Sequence, residues 1–302
     1  MNPYKLKLVL ISTPVGFIGS GRGGGVELTI VSLIQGLLDL GHEVILVAPD
    51  SSFVPDVCSR AEIVLVKGID QPSWQHQSSS SPMVIPSGGV LPRLLEQALE
   101  LGKTADAVLN FSYDWLPLWL TPYIKTDLFH LISMGGVSEV MQSVVKDFSR
   151  KDQKNLAFHT YRQAADYDLC EEPVVVGNGF DLANYQLQLV TGGPLGWAGR
   201  VAPEKGLEDA VAVASALGDR LLVWGVIEDE NYAAFVEKLA PKGTIDWKGF
   251  LPTAQWQKQL GVCRAFLNTP KWNEAYGNVV VEAMACGVPV VAFDRGGPGE
   301  II

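Results

Sequence analysis

The sequence predicts an α/β protein that contains two parallel β-sheets. Short apolar runs alternate with segments whose apolar residues recur at helical spacing, as where Lys5–Ser12 is followed by Val26–Leu40. This alternation is typical of strand–helix–strand units with parallel strands. It occurs in both halves of a chain of 302 residues, a length that suits two domains better than one.

The first half, residues 1–185, is predicted to be one Rossmann-like domain. Lys5–Ser12 predicts a strand buried on both faces because apolar residues dominate it. Gly41 ends the helix 26–40, and the serine-rich segment 68–89 is predicted to be a long loop. Further strands are predicted at 43–48, 62–66, 107–111, 128–133, 156–159 and 174–176, and helices at 92–101 and 138–148.

The second half, residues 186–302, repeats the alternation and is predicted to be a second Rossmann-like domain. Asn178-Gly179 is a turn sequence, so the connection between the domains is expected near 178–193. Strands are predicted at 195–198, 221–225, 244–248, 265–268 and 288–291, and helices at 206–217, 229–239, 253–261 and 277–285.

Composition excludes several classes of protein. A net charge of −10 disfavours nucleic acid or an anionic membrane as a general partner. The N-terminal apolar run Leu6–Ile11 is too short to span a membrane. The four cysteines have no metal-type spacing and predict buried thiols in a reducing cytoplasm. Nothing in the sequence predicts an oligomeric state.

The segment Asn268–Pro298 carries two glutamates eight residues apart. Glu274 falls in a loop, and Glu282 falls on the helix that begins near Gly277. Because helical side chains lean towards the N-terminus, both carboxylates can flank the N–H groups of 277–279. Such N–H groups bind anions, and the carboxylates accept bonds from hydroxyls. This pattern predicts a site for a sugar joined to a nucleoside by a diphosphate.

Two cations follow the first strand of the second half. Arg200 can fork onto phosphate oxygens, and Lys205 adds a charge where the next helix begins. Together they can offset the charge that develops on a leaving diphosphate, so we predict a site without a metal ion. Asp166-Tyr167-Asp168 formally fits an Asp-x-Asp metal motif, but so short a pattern is expected by chance in an acidic chain.

These motifs resemble the signature of the retaining family 4 glycosyltransferases of the GT-B fold. The family pattern of Glu, seven residues, Glu and Ala-x-Ala-x-Gly-x-Pro-Val stands here at 274–290, and its Gly-Arg-x-x-x-x-Lys-Gly pattern stands at 199–206. The resemblance implies two Rossmann-like domains facing across a cleft and transfer from a nucleotide sugar. It implies that Glu274 contacts the sugar hydroxyls and Glu282 the ribose diol. The donor-binding residues predicted here are Arg200, Lys205, Glu274, Ala275, Tyr276, Gly277, Asn278, Val279 and Glu282. Members of the family continue for several dozen residues after the segment that ends at Ile302, so a further C-terminal part of the second domain is expected.

The glycine-rich loop, Gly19–Gly25, allows an alternative. Its glycines formally fit G-x-G-x-x-G, so an NAD- or flavin-dependent oxidoreductase is the competing interpretation. However, the first glycine comes late after a strand that ends near Ser12. In the family that the motifs resemble, this loop ends in Gly-Gly beside the diphosphate and acceptor, which assigns Gly24 and Gly25 to donor binding.

The resemblance also implies catalytic roles. His130 is interpreted as the end of the strand segment Leu128-Phe129-His130, where similar enzymes carry a histidine that faces the reactive face of the sugar. The predicted catalytic residues are His130, Arg200, Lys205 and Glu274. A nucleotide-sugar-binding scaffold without turnover remains the second alternative.

A closer resemblance concerns the acceptor. Segments 19–29, 110–122 and 130–141 are similar to those of cyanobacterial UDP-glucose:tetrahydrobiopterin glucosyltransferases. This implies UDP-glucose as the donor, a side-chain hydroxyl of the pterin as the acceptor, and no further cofactor. A flat pterin needs an aromatic face and a carboxylate for its N–H edge. The predicted acceptor-binding residues are Phe17, Tyr113, Asp114 and Trp115.

Overall fold

The computed structural model describes residues 5–72, 79–189 and 192–302. Two compact units are present, unit 1 (Met1–Gly179) and unit 2 (Phe180–Ile302). The boundary lies six residues before the predicted one. Part of the predicted loop 68–89 and part of the predicted connection 178–193 lie outside the described residues.

Unit 1 contains a seven-stranded parallel sheet with the order β3-β2-β1-β4-β5-β6-β7. The strands are β1 (Lys7–Ile11), β2 (Glu43–Pro49), β3 (Glu62–Val66), β4 (Ala107–Asn110), β5 (Leu128–Ile132), β6 (Leu156–Phe158) and β7 (Val174–Val175). The helices are α1 (Gly25–Asp39), α2 (Val90–Gly102), α3 (Trp115–Leu120), α4 (Glu139–Asp152) and α5 (Tyr161–Ala164). Two apolar clusters cover the faces of the sheet, one packed under α1 and the other under α2.

Unit 2 contains a five-stranded parallel sheet with the order β10-β9-β8-β11-β12. The strands are β8 (Leu195–Ala198), β9 (Leu221–Trp224), β10 (Ile245–Gly249), β11 (Ala265–Asn268) and β12 (Val290–Ala292). The helices are α6 (Leu207–Leu217), α7 (Glu230–Leu239), α8 (Thr253–Leu260), α9 (Asn278–Ala285) and α10 (Pro298–Ile301). The predicted α/β class with two parallel sheets is therefore confirmed.

Helix α3 is the main element that the sequence did not predict. Its segment is aromatic and contains Pro117, features that do not favour a helix. The side chain of Asp114 caps the helix by accepting a hydrogen bond from Leu116 N at 3.0 Å. Pro117 lies in the first turn, where its missing N–H removes no helical bond.

Each sheet has a point at which the strand order reverses. In unit 1 it lies between β1 and β4, and in unit 2 between β8 and β11. Loops after such strands diverge and leave a crevice at the carboxyl edge of the sheet. The predicted site residues follow these four strands, except His130, which lies within β5.

Candidate active site

Two loops of unit 2 meet where the strand order reverses. One follows β8 and carries Arg200 and Lys205, and the other follows β11 and carries Glu274. Backbone contacts join them, because Lys271 N donates to Glu204 O at 2.8 Å. The two loops therefore form one surface at the carboxyl edge of the sheet.

Gly206 permits this close approach of the two loops. Its φ of 62° lies in the left-handed region, and a Cβ at this position would lie 2.1 Å from Thr269 O. Thr269 Oγ1 in turn donates to Gly206 O at 2.7 Å. Only glycine satisfies both the backbone angle and the contact, which is the physical reason for Lys-Gly at this position.

Lys205 and Glu274 form an ion pair within this surface, with side chains 18% and 14% exposed. Trp272 Nε1 donates to Glu274 Oε1 at 2.9 Å, and Lys205 Nζ lies 4.8 Å from the centroid of the Trp272 ring. Burial by itself would raise the pKa of Glu274, but Lys205 and the hydrogen bonds outweigh it and lower the pKa. Glu274 is therefore an anion at neutral pH.

Arg200 is held between two carboxylates that the sequence analysis did not identify. It contacts Glu204 at 3.1 Å and Glu228 at 2.5 Å, and its side chain is 12% exposed. Glu228 follows β9, 28 residues away, and no local motif marks it. Both predicted phosphate-binding cations are thus held in place by carboxylates of unit 2.

Glu282 lies on α9 and is 5% exposed. Tyr185 Oη donates a hydrogen bond of 3.1 Å to its carboxylate. Burial raises the pKa of Glu282 to about 7, although the bond from Tyr185 acts in the opposite direction. This carboxyl group therefore titrates near neutral pH, unlike that of Glu274.

The remaining predicted donor residues of unit 2 surround the start of α9. Gly277 is the N-cap and has no side chain to cover the helix terminus. Asn278 and Val279 begin the helix and are partly exposed, as is Ala275. The Tyr276 ring stacks on that of Phe180, with centroids 6.3 Å apart. These five predicted donor residues are thus in the loop before α9 and in its first turn.

Unit 1 positions Gly24 and Gly25 at the start of α1. Gly24 is the N-cap with a φ of 63°, and Gly25 is exposed as the first helical residue. The N–H groups of the preceding glycines point at the carboxylate of Glu27, which the sequence analysis did not identify. The signal was present, because an acidic residue in the first turn of a helix accepts N–H bonds readily.

His130, which the resemblance predicts to be catalytic, lies in the core of unit 1, and its role in catalysis stays a prediction. Its side chain is 1% exposed, and both ring nitrogens are within hydrogen-bond distance of core residues. Asn110 Nδ2 lies 3.1 Å from Nδ1, and Thr121 Oγ1 lies 2.8 Å from Nε2. Since an amide nitrogen can only donate, Nδ1 accepts from Asn110, and the protonated Nε2 donates a hydrogen bond to Thr121 Oγ1. Burial lowers the pKa of His130 to about 3, so the ring is a neutral member of the core.

Asp114, a predicted acceptor contact, is also buried in unit 1, and its acceptor role stays a prediction. It is 1% exposed, and its second oxygen lies 3.4 Å from Gln71 Nε2. Burial raises the pKa of Asp114 to about 6. Tyr113 is also buried and shares a 3.1 Å hydroxyl contact with Tyr167. The other predicted acceptor residues, Phe17 and Trp115, are partly exposed.

The two aspartates of the Asp-x-Asp pattern contact other residues of unit 1. Asp166 accepts a bond from Gly136 N at 2.9 Å, and Asp168 pairs with Lys146. Within residues 5–72, 79–189 and 192–302, no group of three or more His, Cys, Asp or Glu residues could hold a metal ion. No helix among those residues is both long and apolar enough to cross a membrane. Cys170 is exposed, contrary to the prediction that all four thiols are buried.

Comparison with known proteins shows which enzymes this chain resembles. Residues 195–302 match the family model of the Glycosyl transferases group 1. The chain is 24% identical to D-inositol 3-phosphate glycosyltransferase of Nocardia farcinica over 98% of its own length and 75% of that enzyme. Its structure is similar to HepE of Anabaena in complex with UDP and glucose, with a TM-score of 0.70, 17% identity and coverage of 98% and 83% of the two chains. Sucrose-phosphate synthase of Thermosynechococcus elongatus has a TM-score of 0.72, 17% identity and coverage of 97% and 82%. The chain therefore has the GT-B fold, and its residues 195–302 are similar to the Glycosyl transferases group 1.

Proposed function

We propose that this protein is a retaining glycosyltransferase that moves glucose from UDP-glucose to a hydroxyl group of a small acceptor. The observation that carries the proposal is the arrangement at the carboxyl edge of the unit 2 sheet. There Glu274 and Lys205 lie before the start of α9, and Glu282 lies on its first turns. This surface offers carboxylates to hydroxyl groups and cations with helix N–H groups to a diphosphate.

In the proposed reaction, the diphosphate of the donor replaces carboxylates of unit 2 as the partner of Arg200. Arg200 leaves Glu204 or Glu228, and its guanidinium then binds phosphate oxygens. The bond between the anomeric carbon and the phosphate oxygen breaks, and a bond to the acceptor oxygen forms on the same face of the sugar. The acceptor proton goes to the leaving diphosphate, whose charge Arg200 and Lys205 stabilise.

Glu274 has a different part in this proposal. Because its pKa is lowered, it stays ionised and accepts hydrogen bonds from the sugar hydroxyls. Glu282 accepts bonds from the ribose diol. Gly24 and Gly25 at the start of α1 are proposed to approach the donor closely, as the sequence resemblance implies.

The acceptor that we propose is the side-chain hydroxyl of tetrahydrobiopterin. Support comes from segments 19–29, 110–122 and 130–141, which resemble those of pterin glucosyltransferases. Phe17 and Trp115 remain partly exposed aromatic candidates for stacking on the pterin. Asp114 is left out of the proposed contacts because both of its oxygens already accept hydrogen bonds, from Leu116 N and Gln71 Nε2.

The experiment begins with thermal-shift measurements in the presence of UDP, GDP and NAD⁺. UDP is expected to stabilise the protein most, and Glu282→Ala should weaken UDP binding by roughly ten- to a hundredfold because a charge-assisted hydrogen bond is lost. Glu230→Ala is the matched control, since Glu230 is an exposed glutamate of the same unit. Equal UDP affinity in both variants would contradict the assignment of Glu282.

Transfer assays with UDP-glucose and tetrahydrobiopterin then test the activity. Glucosylated pterin should form, and it should form equally well with excess chelator because Arg200 and Lys205 supply the positive charge. Binding of UDP-glucose without transfer or hydrolysis would favour the scaffold alternative. Tight NAD⁺ binding would favour the oxidoreductase alternative.

A further inference from the structure

The glycine-rich loop (Gly19–Gly25) closes around a single carboxylate. Glu27 Oε2 accepts hydrogen bonds from Gly19 N at 2.7 Å and Gly21 N at 3.3 Å. Glu27 Oε1 accepts from Gly23 N at 2.7 Å and from Ser20 Oγ at 3.1 Å. The Glu27 residue is 8% exposed. One buried anion thus binds four donors of the loop.

This geometry is that of a backbone anion nest. Gly19, Gly21 and Gly24 have φ values of 92°, 73° and 63°, which turn successive N–H groups towards a common centre. In dinucleotide-binding loops such N–H groups receive phosphate oxygens. Here the carboxylate comes from the first turn of α1 and fills the position from within the chain.

Contact distances indicate that the nest is built for this side chain. A Cβ added at Gly23 would lie 3.0 Å from both Cγ and Oε1 of Glu27. Any side chain at that position would therefore push against the carboxylate. The glycine at 23 is explained by the approach of Glu27, without reference to a bound nucleotide.

We propose that Glu27 is the internal anion of the glycine-rich loop and a positioning residue for it. The carboxylate holds the loop in one shape before substrate arrives and occupies the place that a dinucleotide phosphate would need. The consequence for transfer rests on the proposed function, because Gly24 and Gly25 end the loop that Glu27 holds. The structural role of Glu27 does not depend on it.

The direct test is amide hydrogen exchange, measured by NMR on the wild type and on Glu27→Gln. The glutamine keeps one accepting oxygen and replaces the other with a donor, so one set of loop N–H groups loses its acceptor. Protection at Gly19 and Gly21 or at Gly23 should fall by about ten- to a hundredfold. Glu62→Gln, at an exposed glutamate of the same unit, is the matched control. Unchanged protection in Glu27→Gln would overturn the proposal.

Should Glu27→Gln not fold, Glu27→Asp makes the same comparison. Aspartate keeps the charge, but its shorter side chain cannot reach all four donors. Loss of protection confined to the loop supports the proposal, whereas protection equal to the wild type overturns it.

Kinetics separate positioning from a general loss of structure. Glu27→Gln is expected to raise the acceptor KM and lower kcat by about tenfold. UDP affinity should stay within about twofold, because every charged side chain proposed to bind UDP is in unit 2. If the wild type transfers no glucose, the proposed function fails but the exchange experiment still tests Glu27. NAD⁺ should not shift the amide signals of Gly19–Gly25 in the wild type. Such shifts would contradict the proposal that Glu27 keeps a dinucleotide phosphate out of the loop.

Discussion

Lys205 and Glu274 are 69 residues apart in the sequence and form an ion pair at the carboxyl edge of the unit 2 sheet. Each lies in the loop after a strand, and the two strands are neighbours. Trp272 contacts both members of the pair through its N–H group and its ring face. The indole therefore fixes the distance between a proposed phosphate-binding cation and a proposed sugar-binding anion.

Trp272→Phe tests this role of the indole. Phenylalanine keeps a ring under Lys205 but removes the hydrogen bond to Glu274, so a small displacement of the carboxylate is expected. We predict that kcat/KM for UDP-glucose falls about tenfold, equivalent to roughly 1.4 kcal/mol. Trp272→Leu removes the ring face as well, so its kcat/KM for UDP-glucose should fall further. Steady-state kinetics with UDP-glucose as the varied substrate measure both effects.

The matched control is Trp247→Phe. Trp247 Nε1 donates to Glu237 Oε2 at 2.7 Å on the exposed side of unit 2, so the same type of bond is lost away from the site. Its kcat/KM should stay within about twofold of the wild type. Equal losses in Trp247→Phe and Trp272→Phe would mean that the effect is not specific to the site.

The raised pKa of Glu282 predicts that UDP binding strengthens as the pH rises. Ribose hydroxyls donate to an ionised carboxylate, and burial holds the pKa of Glu282 at about 7. If only the ionised form binds, the Kd should fall about tenfold between pH 6 and pH 8. Calorimetric titration of the wild type and Glu282→Gln isolates this term, because the titration of UDP itself affects both proteins alike. A parallel pH dependence in the two proteins would contradict the prediction.

The same pKa predicts the sign of a stability change. The folded-state pKa of Glu282 is raised above its usual value of 4.5, so its contribution to stability is present below pH 4.5 and is lost as the pH rises through 7. Glu282→Gln should therefore be more stable than the wild type at pH 8, by up to roughly 3 kcal/mol, with a smaller difference at pH 5. Urea unfolding at both pH values measures this. A difference that is larger at pH 5 would contradict the assignment.

Substitutions of Asp114 separate capping from ligand binding. Asparagine also caps helices, so Asp114→Asn should keep the bond to Leu116 N and leave the acceptor KM unchanged. Asp114→Ala removes the cap and should lower the free energy of unfolding by about 0.5–2 kcal/mol. Since the pKa of Asp114 is raised to about 6, Asp114→Asn should gain stability relative to the wild type as the pH rises from 4 to 8. A raised acceptor KM in Asp114→Asn at unchanged stability would restore the acceptor role.

The contribution of His130 to stability depends on pH in the direction opposite to that of Asp114. Its folded-state pKa of about 3 lies below the usual 6.5, so the neutral ring stabilises the fold fully above pH 6.5 and this stability is lost as the pH falls towards 3. His130→Gln keeps one donor and one acceptor but does not titrate, so its free energy of unfolding should fall less between pH 7 and pH 5. Its kcat should stay within about twofold of the wild type. A loss of kcat by more than a hundredfold in folded His130→Gln would contradict the structural role.

Nitrogen-15 NMR of the imidazole checks the tautomer of His130 directly. The proton should be on Nε2 at pH 7, because Asn110 donates to Nδ1. Protonation of both nitrogens at pH 6 would contradict the buried neutral state.

The order of strands and helices and the location of the donor motifs could be predicted from the sequence alone. Runs such as Leu8–Ile11 are buried on both faces of a parallel sheet, so continuous apolar composition marks them without any knowledge of partners. Glu274 and Glu282 were identified because they share one loop and helix, where spacing in the sequence is spacing in space. Lys205 and Gly206 were identified for the same reason, because they are adjacent in one short motif.

Which polar side chains can bind a ligand, and which already have partners within the protein, depends on the tertiary structure. His130 lies within β5, and Asn110 and Thr121 contact its two ring nitrogens. Asp114 follows β4, and Gln71 contacts its carboxylate. Glu228 reaches Arg200 only because β8 and β9 are adjacent. These contacts join residues brought together by sheet order and loop packing, and no periodic pattern in the sequence encodes such pairs. Burial and hydrogen bonding in turn set the pKa values, so the protonation states of Glu274 and Glu282 were also decided by the tertiary structure.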